Sequence, residues 1–344
     1  MEGDRGQARS EVGVADPSLD LRRARHYRLF FGLAAAVSAA FAIWAGLFPS
    51  NVLDVFQVDR PAYSILLRGL GLVDGLLAVG YAYAAFNLRR AKPFIAIGLA
   101  VRVIGPVAWV LAVAGGQLTA RTFTLVIFLD LVWWIPFALF LLEGTRGGES
   151  LRALAPYACA VLNLTAAGAL LLVLRPGTEV VPDPASRIQY ITNNELLWRA
   201  GWVCWIAAAL SLLAFYAWWA ARVPAWGWGV AALAIASVGL LFDLTAESLL
   251  IAWLPKDYAT VAPATSLLTG GPGNGLYTVA GALLTLATPG LRGWFATWTW
   301  TIWAAGFGLS AFTLAGNFLG VAVCSGVLFA LFCPWAAVMG RKQA

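Results

Sequence analysis

Long apolar runs alternate with short polar breaks along this chain, and their length is the first feature to explain. A bilayer core about 30 Å thick needs roughly 20 apolar residues in helix to cross it. Ten runs reach or approach that length: 29–48, 64–88, 93–115, 122–142, 153–174, 197–221, 226–254, 268–288, 294–315 and 318–338. The predicted fold class is an all-α polytopic membrane protein of about ten transmembrane helices, one of them broken or re-entrant.

The break falls in "SLLTGGPGNGLYTVAGALLTLATPG". From Leu276 to Thr288 there are thirteen residues, only about 20 Å of helix. The missing length must come from Ser266–Gly275, which carries four glycines and a proline. Irregular backbone at that depth has to be buried in protein or line a wet cavity. Interrupted spans are the best sequence pointer to a transporter's substrate site. Asn274 and Tyr277 stand at the restarted helix and are substrate-binding candidates; its N-terminus is a place for an anion. The glycines match no nucleotide loop, since no Gly-Lys-Ser/Thr ending and no strand accompany them.

The polar stretches divide the chain. Residues 1–28 read as a basic, mobile cytoplasmic tail ending in "RRARHYR", and 29–142 as a four-helix transmembrane unit. A polar hinge follows at 143–152, then a six-helix unit at 153–338 and a short basic tail at 339–344. The longest loop, 176–196, is rich in turn formers.

Composition agrees with lipid as the solvent. Of 344 residues, 61% are hydrophobic and 12% charged, and soluble domains carry about twice that charged fraction. The net charge of +6 does not point to nucleic acid, because the basic residues are scattered between apolar runs. With residues 1–28 inside, fifteen Lys and Arg fall on the cytoplasmic side and five, including Arg60, Arg121 and Lys256, on the other. The positive-inside rule expects this of an even number of spans with both termini cytoplasmic. The front half has the general look of small polytopic bacterial membrane proteins, so a bacterial inner membrane is the expected location. Membrane lipid is the expected partner, with a protein partner or a second copy left open.

Cys159, Cys204, Cys324 and Cys333 all lie in apolar runs without a CxxC spacing and read as packing residues. His26 is the only histidine. Bis-histidine haem, a histidine-rich zinc site and a histidine triad therefore cannot be built within the spans of one chain. No metal site is read, and the cofactor is left unassigned.

Charged groups near a bilayer centre cost at least ~2.5 kcal/mol each, so those present need a reason. Asp74, Arg102, Asp130 and Asp243 each lie roughly 12–17 Å from the nearer end of their span. Arg68 and Glu247 lie closer to the surface. Asp74 stands beside the Gly71-xxx-Gly75 pair, which permits close helix approach. Arg102 precedes Gly105-Pro106, and Asp130 precedes Pro136. Two aspartates, Arg102 and Arg68 make a nearly neutral network, either a helix clamp or a site where Arg102 meets an anion. In "FDLTAESLLIAWLP", Asp243 and Glu247 follow one another at i, i+4 on a small-residue stripe with Ala236 and Gly239. Two such acids need a shared proton, a shared cation or an arginine such as Arg199, which makes them the proton- or cation-handling candidates.

Of 17 tryptophans, Trp198, Trp226, Trp228, Trp253, Trp294 and Trp335 fall near span ends as interfacial anchors do. Trp294, Trp298, Trp300 and Trp303 offer a surface for a flat ligand, or belt and packing.

Three functional classes survive. The first is a small-solute or ion transporter using its intramembrane carboxylates. The second is a non-catalytic subunit or scaffold. The third is an enzyme on a lipid or other apolar substrate with a carboxylate as acid/base. No activated nucleophile is visible, so the balance is against an enzyme.

Overall fold

A computed structural model describes residues 21–58, 63–114, 117–143, 146–254 and 258–343. Residues 1–20 of the tail, Arg60, Gly144 and Thr145 of the hinge, Lys256 and Ala344 lie outside the described residues.

The front of the chain forms α1 (Leu21–Leu47), a short α2 (Pro49–Val55), α3 (Tyr63–Phe86) and α4 (Lys92–Ala114). It ends with α5 (Phe123–Val126) and α6 (Val132–Leu141), joined without a break by a π-helical turn, Ile127–Leu131. The back begins with α7 (Arg146–Ala169), which closes in a π turn at Leu170–Leu174, then α8 (Pro184–Asn193) and α9 (Glu195–Ala220). There follow α10 (Trp226–Ala252), α11 (Tyr258–Leu268), α12 (Asn274–Ala287), α13 (Gly293–Leu314) and α14 (Phe318–Gln343). Among the described residues there is no strand.

Eight of these helices are long and apolar enough to cross a membrane: α1, α3, α4, α5–α6, α7 with its π turn, α9, α10 and α14. This fits an integral multi-pass membrane protein. Length and apolarity do not by themselves reach ten. The 14 residues of α12 are too few alone. The 22 residues of α13 include four tryptophans and four threonines, whose polar groups dilute its apolar character.

The expected break is corrected. Instead of opening at the glycines, the backbone stays helical from α11 through a π turn, Thr269–Gly273, into α12. Pro272 lacks an N–H and its ring crowds the preceding turn. Widening that turn keeps the chain helical around it. Gly270 and Gly273 allow close packing there, since a Cβ on Gly270 would sit 2.4 Å from the Thr313 hydroxyl.

Helix reaches into the described parts of the polar segments. The basic cluster Arg22–Arg28 belongs to α1, and α14 runs through residues 339–343. At the hinge, Arg152 is ion-paired to Glu143, and Tyr27 donates to Glu143 at 2.7 Å while accepting from Arg152 at 2.6 Å. These bonds tie α1 and α6 to α7. Within the 176–196 loop, Asp183 caps α8 by accepting from the Ser186 hydroxyl and the Ser186 and Ala185 amides. The Ser186 hydroxyl, with those amides, holds the Asp183 carboxyl below the usual carboxylate range.

Buried apolar side chains collect in two main cores. One joins α1, α3, α4 and α6 around Phe31, Tyr81, Ile95, Phe137 and Phe140. The other fills the space among α7 and α9–α14 with tryptophans, including Trp198, Trp219, Trp303 and Trp335. Many apolar residues point outward, Leu66, Leu72, Leu76, Val79 and Phe86 of α3 among them, as expected of a surface in contact with lipid. The interfacial tryptophans divide accordingly. Trp228 and Trp294 are exposed, but Trp198 and Trp335 are buried, donating to the Leu250 carbonyl and the Thr299 hydroxyl, each at 2.9 Å.

Candidate functional site

The buried charges separate into two places. In the front half, Arg102 of α4 is 2% exposed and donates to Asp74 of α3 at 2.7 Å and to the Ser38 hydroxyl of α1 at 2.6 Å. Its other terminal nitrogen lies 3.5 Å from Asp130, in the π turn before α6. One guanidinium thus ties four helical segments together.

Local geometry explains the fit. A Cβ on Gly71 would stand 3.1 Å from the Ala42 carbonyl and the Gly46 nitrogen, so α3 reaches the backbone of α1 only because Gly71 has none. A Cβ on Gly105 would stand 2.6 Å from the Asp130 carboxylate. The π turn also leaves the Phe128 carbonyl available, and the Trp133 indole donates to it at 2.9 Å. Trp134 in turn donates to the Arg102 carbonyl at 2.9 Å. Arg68 does not join the network; it is exposed on α3 and makes no ion pair with these acids. Ser38 was not anticipated, because a lone hydroxyl in an apolar run is a weak signal.

The second place lies in α10. Asp243 is 6% exposed and Glu247 1%. The Tyr277 hydroxyl donates to Asp243 Oδ2 over a long 3.4 Å. Asp243 Oδ1 and both Glu247 oxygens have no hydrogen-bond partner. Arg199 does not reach them: it pairs with Glu195, four residues earlier on α9. The small-residue stripe does what its composition suggests. A Cβ on Gly239 would meet the Gly273 carbonyl at 3.1 Å and Tyr277 at 3.3 Å, so α10 packs against the π turn and the start of α12.

Beside Asp243 is a cavity of about 680 Å³ among α7 and α9–α14. Asp243, Asn274 and Tyr277 all line it; Glu247 does not. Most of its wall is apolar and aromatic, with Trp202, Trp205, Trp303, Phe329 and Phe332 contributing. Of the tryptophans offered as a ligand surface, only Trp303 reaches this wall; Trp294 and Trp298 stack on one another, their centroids 5.5 Å apart.

Asn274 is committed to packing. Its amide nitrogen donates to the Gly306 carbonyl at 2.7 Å and the Ser310 hydroxyl at 2.9 Å, joining α12 to α13. The anion site expected at a restarted helix is absent as well, since the Asn274 N–H bonds back to Thr269 and Gly271 within the helix.

The cavity extends toward α8, where Glu179 and Arg187 line its edge. Arg187 donates to the Tyr258 hydroxyl at 2.6 Å, and Ser266 donates to Glu179 at 2.7 Å, tying this lip to α11. The other end of α8 is anchored by buried Ile191 against Gly177, and by Tyr190 donating to the Val173 carbonyl.

The two halves meet where Arg121, 8% exposed, stacks over the Trp253 ring at 4.2 Å. With Arg102 engaged by two aspartates and Arg121 by an indole ring, neither arginine is paired with the α10 acids.

No family model, curated protein or solved structure matches this chain.

Proposed function

We propose that this protein is a membrane transporter for a small solute, with the cavity as its solute site and Asp243 and Glu247 as its proton- or cation-handling pair. The observation that carries the reading is a buried carboxylate, incompletely hydrogen-bonded, in the wall of a cavity of about 680 Å³. That volume lies within the range of small-molecule sites. An ionisable residue inside a membrane bundle is a functional candidate by default, and one beside a cavity is a stronger one. A π turn in the helix lining the same cavity adds support, since such turns gather at functional sites.

In this reading the chain crosses the membrane ten times, the eight apolar helices being joined by α11–α12 and α13. The run from Tyr258 to Ala287 has 30 residues, about 45 Å of helix, which is ample for one crossing. Both termini are then cytoplasmic, in a bacterial inner membrane. The arginine-centred triad of the front half favours a bracing role for that half, which is how the scaffold reading survives within this one.

The test uses proteoliposomes loaded with a pH-sensitive dye and challenged with a panel of amines, carboxylic acids and sugars. Wild-type protein is expected to couple entry of at least one class to an internal pH change. Asp243→Asn and Glu247→Gln are expected to abolish that coupling with melting temperatures unchanged. A panel that moves no protons, or variants that lose stability rather than coupling, would overturn the proposal.

A further inference from the structure

We infer that the cavity binds a lipophilic organic cation, an ammonium or onium centre carrying an apolar body, with Asp243 as the counter-charge. This rests on the transport reading for its physiological meaning but not for its chemistry.

Three observations point the same way. First, the wall is dominated by aromatic and aliphatic side chains, which select an apolar body. Second, the buried acids have no basic partner. Asp243 keeps one oxygen without a hydrogen bond, and Glu247, one turn away, keeps both. Among the described residues, the one basic residue in the wall, Arg187, lies with Glu179 and is bonded to Tyr258 and to the Pro182 carbonyl. The wall therefore presents a carboxyl group with no basic partner among the described residues, which a cation can pair with and an anion cannot. Third, rings such as Trp205, Phe329 and Tyr277 line the same space. Aromatic faces attract cations, more so once the cation has shed its water.

Other ligands fit less well. A divalent metal ion prefers about six to eight oxygen ligands. No group of three metal-binding side chains occurs among the described residues. An anionic lipid headgroup would have to approach two carboxylates.

The experiment measures binding of tetraphenylphosphonium and of its anionic counterpart of similar shape, tetraphenylborate, by equilibrium dialysis against the full-length protein in nanodiscs, with empty nanodiscs subtracted. Wild-type protein is expected to retain about one phosphonium per chain and to prefer it over the borate at least tenfold. Asp243→Asn should weaken phosphonium binding about tenfold, whereas Asp243→Glu, which keeps the charge, should retain most of it. Equal binding of both ions, or phosphonium binding indifferent to Asp243→Asn in protein that melts normally, overturns the inference. Its failure is distinguishable from that of the transport reading. Phosphonium binding without coupled flux sinks transport and leaves the cation site. Coupled flux of neutral solutes without phosphonium binding does the reverse.

Discussion

Asp74 and Asp130 lie against one guanidinium, itself bonded to a serine and flanked by an indole donating to its backbone. Asp243 and Glu247 are as deeply buried, yet three of their four carboxylate oxygens lack a hydrogen bond; their polar neighbours are the Tyr277 and Thr269 hydroxyls and each other. The first arrangement is a structural joint in which two carboxylates share one guanidinium, only the Nε of Arg102 being left without a hydrogen bond. In the second, the Asp243 Oδ1 atom and both Glu247 oxygens are buried without a hydrogen bond and without an opposite charge among the described residues. Unsatisfied polar groups inside a folded protein cost stability and persist where they serve something else.

The sharpest way to break this comparison is Arg102→Met. Removing one member of a buried ionic cluster leaves the other charges uncompensated, and costs about 3–5 kcal/mol. Thermal unfolding in detergent should show a large loss of stability; a small one would mean that the front cluster is not the joint described. Next in size is Gly105→Ala. Its methyl group would intrude on the Asp130 carboxylate, and overpacking of this kind costs about 1–3 kcal/mol.

The back half should respond with the opposite sign. Glu247→Leu replaces a carboxylate lacking any hydrogen bond by an apolar group of similar size. Because a buried unsatisfied polar group costs about 1–3 kcal/mol, the melting temperature should rise. A fall comparable to that of Arg102→Met would erase the distinction between the two places. The smallest effect belongs to Arg68→Gln. Arg68 is exposed and outside the front network, so the change should stay within about 0.5 kcal/mol.

The contrast was partly legible in the sequence. Asp74, Arg102 and Asp130 stood out because charge in an apolar run is rare, and their comparable depths implied that they could meet. Their pairing with each other rather than with Arg68 was not legible, because it depends on which face each helix turns inward. The Asp243–Glu247 pair was readable from its i, i+4 spacing alone. Its isolation was not, since that required knowing that Arg199 folds back onto Glu195. The glycine-rich stretch around Pro272 announces an irregular backbone, and the irregularity is a π turn rather than an opening. Glycine and proline raise the odds of an opening, whereas a π turn satisfies the same residues while keeping the backbone bonded. Tryptophans near span ends misled for a similar reason. An indole suits both a membrane interface and a crowded core, and only the partner of its N–H tells them apart.

One detail of the cavity's edge bears on traffic through it. The stretch from Glu179 to Arg187 is fastened to α11 by two side-chain hydrogen bonds, while Ile191 secures the far end of α8. Bonds to charged groups are each worth about 1.5–3 kcal/mol net, so unfastening both costs about 3–6 kcal/mol. An excursion of that size is rare at any instant yet visited continually at ordinary temperature. In the transport reading, a strap latched at one end and fixed at the other would need no dedicated fuel to swing; heat alone would work it.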